Sequence, residues 1–352
     1  MKTKNIATTF AIMAAALYAI NIPISKILLT HIGPTMMAAF LYIGAGAGMA
    51  AYGFVRKIRG EKAINEPLTK KELPYTVAMV LLDIAAPIFL MIGISKTTSA
   101  NVSLLNNFEI VATSLIALIV FREVITRKLW IAIGLVTLAS IILSFENSGA
   151  FSFNIGSVFV LAASVCWGFE NNCTRMISNK SSEEIVIIKG WCSGIGSLAI
   201  ALIIGESIPA FFWVACVLLL GFISYGLSIN FYIRAQKDLG AAKTSAYYSI
   251  APFLGVAFSI LLVGERPSIQ FFVALAIMLV STALIVKDTI ELQHTHEHDH
   301  QHSHEHRHDD IVHEHEHTHR HIHTHIHGSD TENHDHQHNL DSHDHVHSHA
   351  VV

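Results

Sequence analysis

The sequence predicts an all-α membrane protein of ten transmembrane helices arranged as two inverted five-helix repeats. Three observations predict it. Of 352 residues, 52% are hydrophobic and only 14% are charged, with a mean hydropathy of +0.47. Soluble domains carry about 25% charged residues, so a globular enzyme core is disfavoured. Apolar runs of roughly 20 residues recur up to Lys287, long enough to cross about 30 Å of hydrocarbon as helices. The two halves of this apolar part also match one another in pattern.

The helices are expected at about 6–29, 35–55, 74–94, 99–120, 128–145, 155–176, 185–205, 211–232, 241–263 and 268–287. The first, at more than 20 residues and with further spans behind it, reads as a retained helix and not a cleaved signal peptide. Basic residues fall in alternate connections: Lys2 and Lys4; Arg56, Lys57, Arg59, Lys62, Lys70 and Lys71; Arg122, Arg127 and Lys128; Lys180; Arg234 and Lys237; Lys287. The other connections hold little beyond Lys96 and Arg266. Positive residues mark the inner side, which puts both termini in the cytoplasm of a multi-pass protein of the cell membrane. Cys166, Cys173, Cys192 and Cys216 fall inside spans without a C-x-x-C pair, as buried small residues do.

The repeat is legible without gaps. "SANVSLLNNFEIVATSLIALIVFREV" (99–124) aligns on "AAKTSAYYSIAPFLGVAFSILLVGER" (241–266), which sets Ser103 on Ser245 and Glu123 on Glu265. "YAINIPISK" (18–26) matches "WGFENNCTR" (167–175) as aromatic, small, apolar, polar, then a hydroxyl–basic pair. Five helices per repeat force the second copy to insert upside down, so Glu123 belongs at the inner face and Glu265 at the outer one. Inverted repeats recur in transporters because each half reproduces on its own side the gate that the other half makes opposite.

On these motifs the chain resembles the EamA family of the drug/metabolite transporter superfamily. The resemblance covers about residues 6–287. It implies a ten-helix bundle with a central cavity that moves a small metabolite or drug-like solute by alternating access. It divides the chain into a first repeat at 1–145, a second at 150–288 and a tail at 289–352.

The site has to be sought among polar groups placed where they are costly. A charge at mid-bilayer costs at least about 2.5–3.5 kcal/mol unless it faces a cavity or a partner. Asp83 and Glu109 sit near the middle of the third and fourth helices. Asn106, Glu109 and Thr113 share one helix face, with Ser103 a turn earlier. The matching stripe of the ninth helix holds Ser245, Tyr248, Ser249 and Pro252. Glu170, Asn171 and Asn172 in the sixth helix correspond to Asn21, Ile22 and Pro23 in the first. The candidate solute-binding residues are therefore Asn21, Asp83, Asn106, Glu109, Glu170, Tyr248 and Ser249; packing glue between helices is the competing role. Lys189, Lys26 and Arg175 lie near helix ends and are expected to snorkel to the interface. Gly44 and Gly48, and Gly194 and Gly196, are expected to bring helices close. No phosphate-binding loop or nucleophile elbow is present, so no enzyme activity is expected and drive falls to a proton or cation gradient or to the solute's own. The bilayer and a small solute are the expected partners, nucleic acid is not, and monomer and homodimer stay open.

The tail is different in kind. All histidines but His31 follow Leu292, 23 of 24. From Gln293 the composition is His, Asp, Glu, Ser and Thr, which cannot bury a core and is expected to be disordered. Neutral imidazoles at His294, His296, His298, His300, His302, His304, His306, His308, His313, His315, His317, His319, His321, His323, His325 and His327 suit Zn, Ni or Co. The membrane part requires no cofactor. Two alternatives to a metabolite permease remain: a divalent-metal permease using Asp83, Glu109 and Glu170 and fed by the tail, and a membrane metal sensor or buffer that transports nothing. Against the first stand the absence of an intramembrane histidine and the few centred carboxylates.

Overall fold

The computed structural model describes residues 2–59, 68–122, 125–146, 152–177, 180–239, 241–308 and 311–326. Its helical spans are α1 (Ile6–Leu28), α2 (Pro34–Ile58), α3 (Lys70–Lys96), α4 (Ser99–Val120), α5 (Arg127–Ser144), α6 (Ile155–Met176), α7 (Glu183–Ile203), α8 (Phe211–Gln236), α9 (Lys243–Val263) and α10 (Ile269–Ile290). Among the described residues, all but α6 are both long and apolar enough to cross a membrane. The 22 residues of α6 have the length, but its last two turns carry Glu170, Asn171, Asn172, Thr174 and Arg175. Large apolar side chains such as Ile119, Ile203, Phe211 and Ile269 face outward, as the hydrocarbon of a bilayer requires. The span boundaries fall within a few residues of expectation. The start of α3 is earlier, because Thr69 and Glu72 form a reciprocal cap: Thr69 N–H donates to Glu72 Oε2 at 2.8 Å, and Lys71 N–H to Thr69 Oγ1 at 3.3 Å.

The helix contacts obey the inverted repeat. Counting five helices on exchanges the pair α1–α8 for α6–α3 and the pair α1–α9 for α6–α4, while α2–α7, α4–α9 and α5–α10 map onto themselves; all of these pairs are in contact. Small residues set the tightest crossings. A Cβ on Gly190 of α7 would stand 2.4 Å from Gly46 Cα of α2, and one on Gly44 would stand 2.2 Å from the Leu218 carbonyl oxygen of α8. Gly48 is likewise pressed against the Phe222 ring. The expected close packing at Gly44 and Gly48 is therefore present.

Carboxylates tie the two halves together at helix starts, where unpaired N–H groups favour negative charge. We call the bundle end at which α1 begins the N-terminal face. On the opposite face, Glu206 after α7 accepts from Thr35 N–H at 3.0 Å and Met36 N–H at 2.7 Å at the start of α2. Glu265 after α9 does the same for α4, accepting from Ser99 N–H at 2.7 Å and Ala100 N–H at 2.8 Å. Beside it, Lys26 of α1 donates at 2.6 Å to both the Ile94 and Thr97 carbonyls that end α3. Lys26 is thus a helix cap and not a snorkelling side chain: its ammonium has two carbonyls within reach that a bilayer would otherwise leave unpaired. At the N-terminal face the related contact is Arg56 at the end of α2 with Glu183 at the start of α7, 3.2 Å apart. Glu123, the repeat partner of Glu265, lies outside the described residues.

Packing is also unequal along the bundle. Of the largest fully buried apolar side chains, Met36, Met37, Leu41, Leu90, Met91, Ile94, Leu104 and Leu105 belong to the half of their helices nearer the opposite face, while Met79 and Ile177 lie toward the N-terminal face. The former group forms an apolar plug at the opposite face. After α10, only residues up to 326 of the tail are among those described. Its strands β1 (Gln293–His308) and β2 (Ile311–Ile326) pair antiparallel, with His294 opposite His325 and His306 opposite His313. Period-2 alternation is the strand pattern. His327 and the histidines after it lie outside the described residues.

Replacing Gly190 with Val should cost about 1–3 kcal/mol or more through overpacking against Gly46. At Gly134 an added Cβ would meet nothing within 4 Å, so Ala there should gain about 0.5–1 kcal/mol from helix propensity. Thermal unfolding of the two purified variants in detergent checks both signs.

Candidate functional site

A cavity of about 360 Å³ opens at mid-depth between the repeats. Its lining draws on α1, α2, α3 and α4 from the first half and on α6, α7, α8 and α9 from the second. Helix irregularities concentrate around it. α4 is interrupted by a turn at Asn106–Asn107, and α9 by a turn at Ser249–Ile250, positions that the repeat alignment sets beside one another. Pro252 follows the second break and cannot donate to the ladder. π-helical turns occupy Lys189–Ser193 and Phe222–Leu227, which place Lys189 and Tyr225 on the wall. Broken helices at a midplane site are how transporters expose polar backbone and side chains without exposing them to lipid.

The polar wall is built around Lys189. Its ammonium lies 2.6 Å from Glu170 Oε1 and 3.3 Å from Asp83 Oδ2. The second contact is a charge contact without hydrogen-bond alignment, since Asp83 Oδ2 has no hydrogen-bond partner. Tyr42 O–H donates to the other Asp83 oxygen at 3.0 Å, and Thr174 O–H donates to Glu170 Oε1. Asp83 and Glu170 are both buried. Lys189 therefore does not snorkel, although its place one turn into α7 suggests that it could. The π turn that it opens carries it inward, where two carboxylates repay more of its desolvation than the interface would.

A second polar group lies on α4. Asn171 Nδ2 donates to Glu109 Oε1 at 2.7 Å and reaches Thr113 Oγ1 at 3.3 Å. Asn106 Nδ2 donates to the Tyr18 hydroxyl at 3.3 Å, and Asn106 Oδ1 is buried with no partner. The remaining wall is aromatic. Tyr18 meets Tyr225 edge-on at 6.0 Å and Tyr248 at 5.9 Å, while Tyr42 lies 5.5 Å from Tyr225; Trp167 completes the ring set.

Of the residues singled out in the sequence, Asp83, Asn106, Glu109, Glu170, Tyr248 and Ser249 line this one cavity. Asn21 does not line it. It stands behind the wall and donates to the Tyr225 hydroxyl at 3.2 Å. Asn172 is packing glue, bonding the Thr113 and Gly168 carbonyls. Tyr42 and Tyr225 escape a reading of the sequence, because an aromatic residue in an apolar run carries no periodic signal that separates cavity from core; Tyr18 and Trp167 stand out only as the matched aromatics of the repeat motifs. His31 is stacked on Trp213 at 3.9 Å, away from the cavity. Outside the tail, whose side chains are not described, no group of three or more His, Cys, Asp or Glu side chains among the described residues is placed to hold a metal ion.

A ten-helix bundle with inverted halves around a midplane cavity defines a membrane transporter. Comparison with known proteins places it further. The model of the EamA-like transporter family matches residues 5–145 and 154–287, which are the two repeats, and the chain belongs to that family. An uncharacterized transporter of Methanothermobacter thermautotrophicus is 25% identical over 295 residues, 76% of this chain and 82% of that one. A protein of solved crystal structure shares the fold with a TM-score of 0.59 at 17% identity, over 81% of this chain and 97% of that one.

Proposed function

We propose that this transporter is a secondary permease that carries a small organic solute across the cytoplasmic membrane by alternating access, with both termini inside. The observation that carries this reading is the position of the cavity. Its lining comes within three residues of the start of α7 at Val186 and within five of the end of α6 at Asn171. Toward the opposite face the nearest lining residues of α1 and α2, Tyr18 and Tyr42, stay ten and eight residues from the helix ends. At 1.5 Å per residue that leaves more than about 10 Å of plug. Lys26, Glu206 and Glu265 seal that plug, and the basic connections mark the other face as cytoplasmic. The form described is then open toward the cytoplasm and closed outside. The repeat symmetry supplies the complementary form by exchanging the roles of the two faces.

A solute is favoured over a metal ion as cargo. The cavity volume lies in the range of small-molecule pockets, about 300–1,000 Å³, and Asp83 and Glu170 are engaged by Lys189 rather than free to coordinate. Proton or cation coupling would fall to the same carboxylates. If Glu265 latches the outer end, Glu265→Ala should raise labelling of a cysteine placed at Ser103 by an impermeant outside thiol reagent several-fold. Unchanged labelling, with counterflow in proteoliposomes also unchanged, would remove the latch from the mechanism.

For the tail we propose transition-metal binding. The hairpin register sets seven histidine pairs directly opposite one another at alternate positions, from His294 and His325 to His306 and His313. Opposite residues in such a pair have Cβ atoms about 4.5–5.5 Å apart, a spacing from which two imidazoles can share one ion. Calorimetry with Zn²⁺ or Ni²⁺ should give several ions bound per full chain and none at micromolar affinity by a chain ending at Leu292. Retained binding in the shortened chain would place the metal elsewhere.

A further inference from the structure

We propose that the cavity takes its solute as a protonated amine, held by Glu109 and the Asn106 side-chain oxygen between the Tyr18, Tyr225 and Tyr248 rings. The inference rests on the reading of this cavity as the solute site and names the chemistry it selects. Three carboxylates, Asp83, Glu109 and Glu170, line the cavity against one cation, Lys189. That cation already contacts two of them, Asp83 and Glu170. Glu109 is left with a neutral amide donor, Asn171, as its hydrogen-bond partner among the described residues. The nearest cation, Lys189, is in contact with Asp83 and Glu170 instead, so a cation that binds beside Glu109 would hold that buried carboxyl in its ionised form.

The second observation is independent of charge. Asn106 lines the cavity, is only 8% exposed, and has spent its N–H₂ on the Tyr18 hydroxyl, yet its Oδ1 has no donor. Buried acceptors are rarely left orphaned, and a site that lacks a donor selects for a ligand that brings one. Glu109 follows Asn106 by three residues across the α4 break, its N–H bonded to the Asn106 carbonyl at 3.1 Å, and both side chains line the same cavity. An ammonium, with its several N–H bonds, answers both.

The third observation is the aromatic wall. Tyr18, Tyr225 and Tyr248 are set at angles to one another, 90° and 44°, rather than stacked, which turns ring faces in more than one direction. Ring faces attract cations and tolerate the apolar body of an organic one. A carboxylate solute would meet three carboxyl groups and a lysine already engaged. A neutral alcohol would bring no charge to favour the ionised form of Glu109. A bare inorganic ion would leave most of the cavity unfilled.

The test compares phenethylamine, 2-phenylethanol and phenylacetate, which share a ring and differ in the charge of the head group. Each is titrated into the purified full chain while thermal unfolding is followed. The amine should raise the midpoint saturably and the other two should not. Glu109→Gln, which keeps shape and removes charge, should weaken amine binding at least tenfold, and Asn106→Leu should weaken it several-fold. Glu109→Asp should restore part of the loss, which a merely structural role would not require. Equal stabilisation by the alcohol or by phenylacetate would overturn the proposal. So would native amine affinity in well-folded Glu109→Gln, or no binding of the amine at millimolar concentration. Counterflow in proteoliposomes separates the two levels. An amine that binds and does not move removes the permease reading and leaves the amine site. Flux confined to neutral or anionic solutes leaves the permease and removes the amine.

Discussion

One ammonium holds the centre of this protein together. Lys189 lies between Asp83 of α3 and Glu170 of α6, and so links three helices from both repeats inside the membrane-spanning bundle. Each partner makes the others possible. Two buried carboxylates there would repel one another and lose their hydration; a lone lysine would lose its hydration with nothing in return. Tyr42 and Thr174 donate to carboxyl oxygens around Lys189. The cavity exists where it does because the helices carrying these groups must meet at polar side chains and cannot close on apolar ones.

The rest of the architecture follows from that asymmetry. On one side of the triad the helices interdigitate through Met36, Met37, Leu90 and Leu104 and are sealed by carboxylates on helix starts. On the other side the broken α4 and the π turn of α7 border the cavity, and the buried apolar side chains Met79, Ile177 and Ile185 form only a small separate cluster. Packed apolar contacts are stable without being specific, whereas the capped ends at Glu206 and Glu265 are specific and can be exchanged for water. A bundle that must open alternately at two faces needs that combination: rigid helices, and end contacts that break without exposing a core.

Much of this is legible in the sequence, and the parts that are not have physical reasons. The ten spans follow from hydropathy, because lipid permits little else than helices. The repeat follows from residues such as Ser103 and Ser245, and the break at Asn106–Asn107 has its counterpart at Ser249–Ile250, one residue on from the aligned pair. Asp83, Glu109 and Glu170 are conspicuous because charge is costly in a span. Lys189 misleads because distance along the chain measures depth and not direction: six residues from the start of α7, it has the reach to snorkel, and only the π turn and the neighbours Asp83 and Glu170 turn it inward. Asn21 misleads in the opposite sense. Its symmetry with the polar run of α6 is real in the alignment, but Asn171 faces Glu109 while Asn21 supports the Tyr225 ring from behind. The tail's alternating histidines have the strand period in plain view, yet with both faces polar there is no partner surface from which to infer the hairpin.

Everything above turns on Lys189 being a structural counter-ion of the cavity wall and not an interfacial side chain. Thermal unfolding of Lys189→Met, alone and together with Asp83→Asn and Glu170→Gln, tests this most directly. Removing one partner of a buried ionic group costs about 3–5 kcal/mol, and replacing the whole group by neutral residues of similar shape costs far less. A large fall in the midpoint is expected for the single variant, with most of it recovered in the triple variant. A single variant that unfolds with the native midpoint would contradict the counter-ion role.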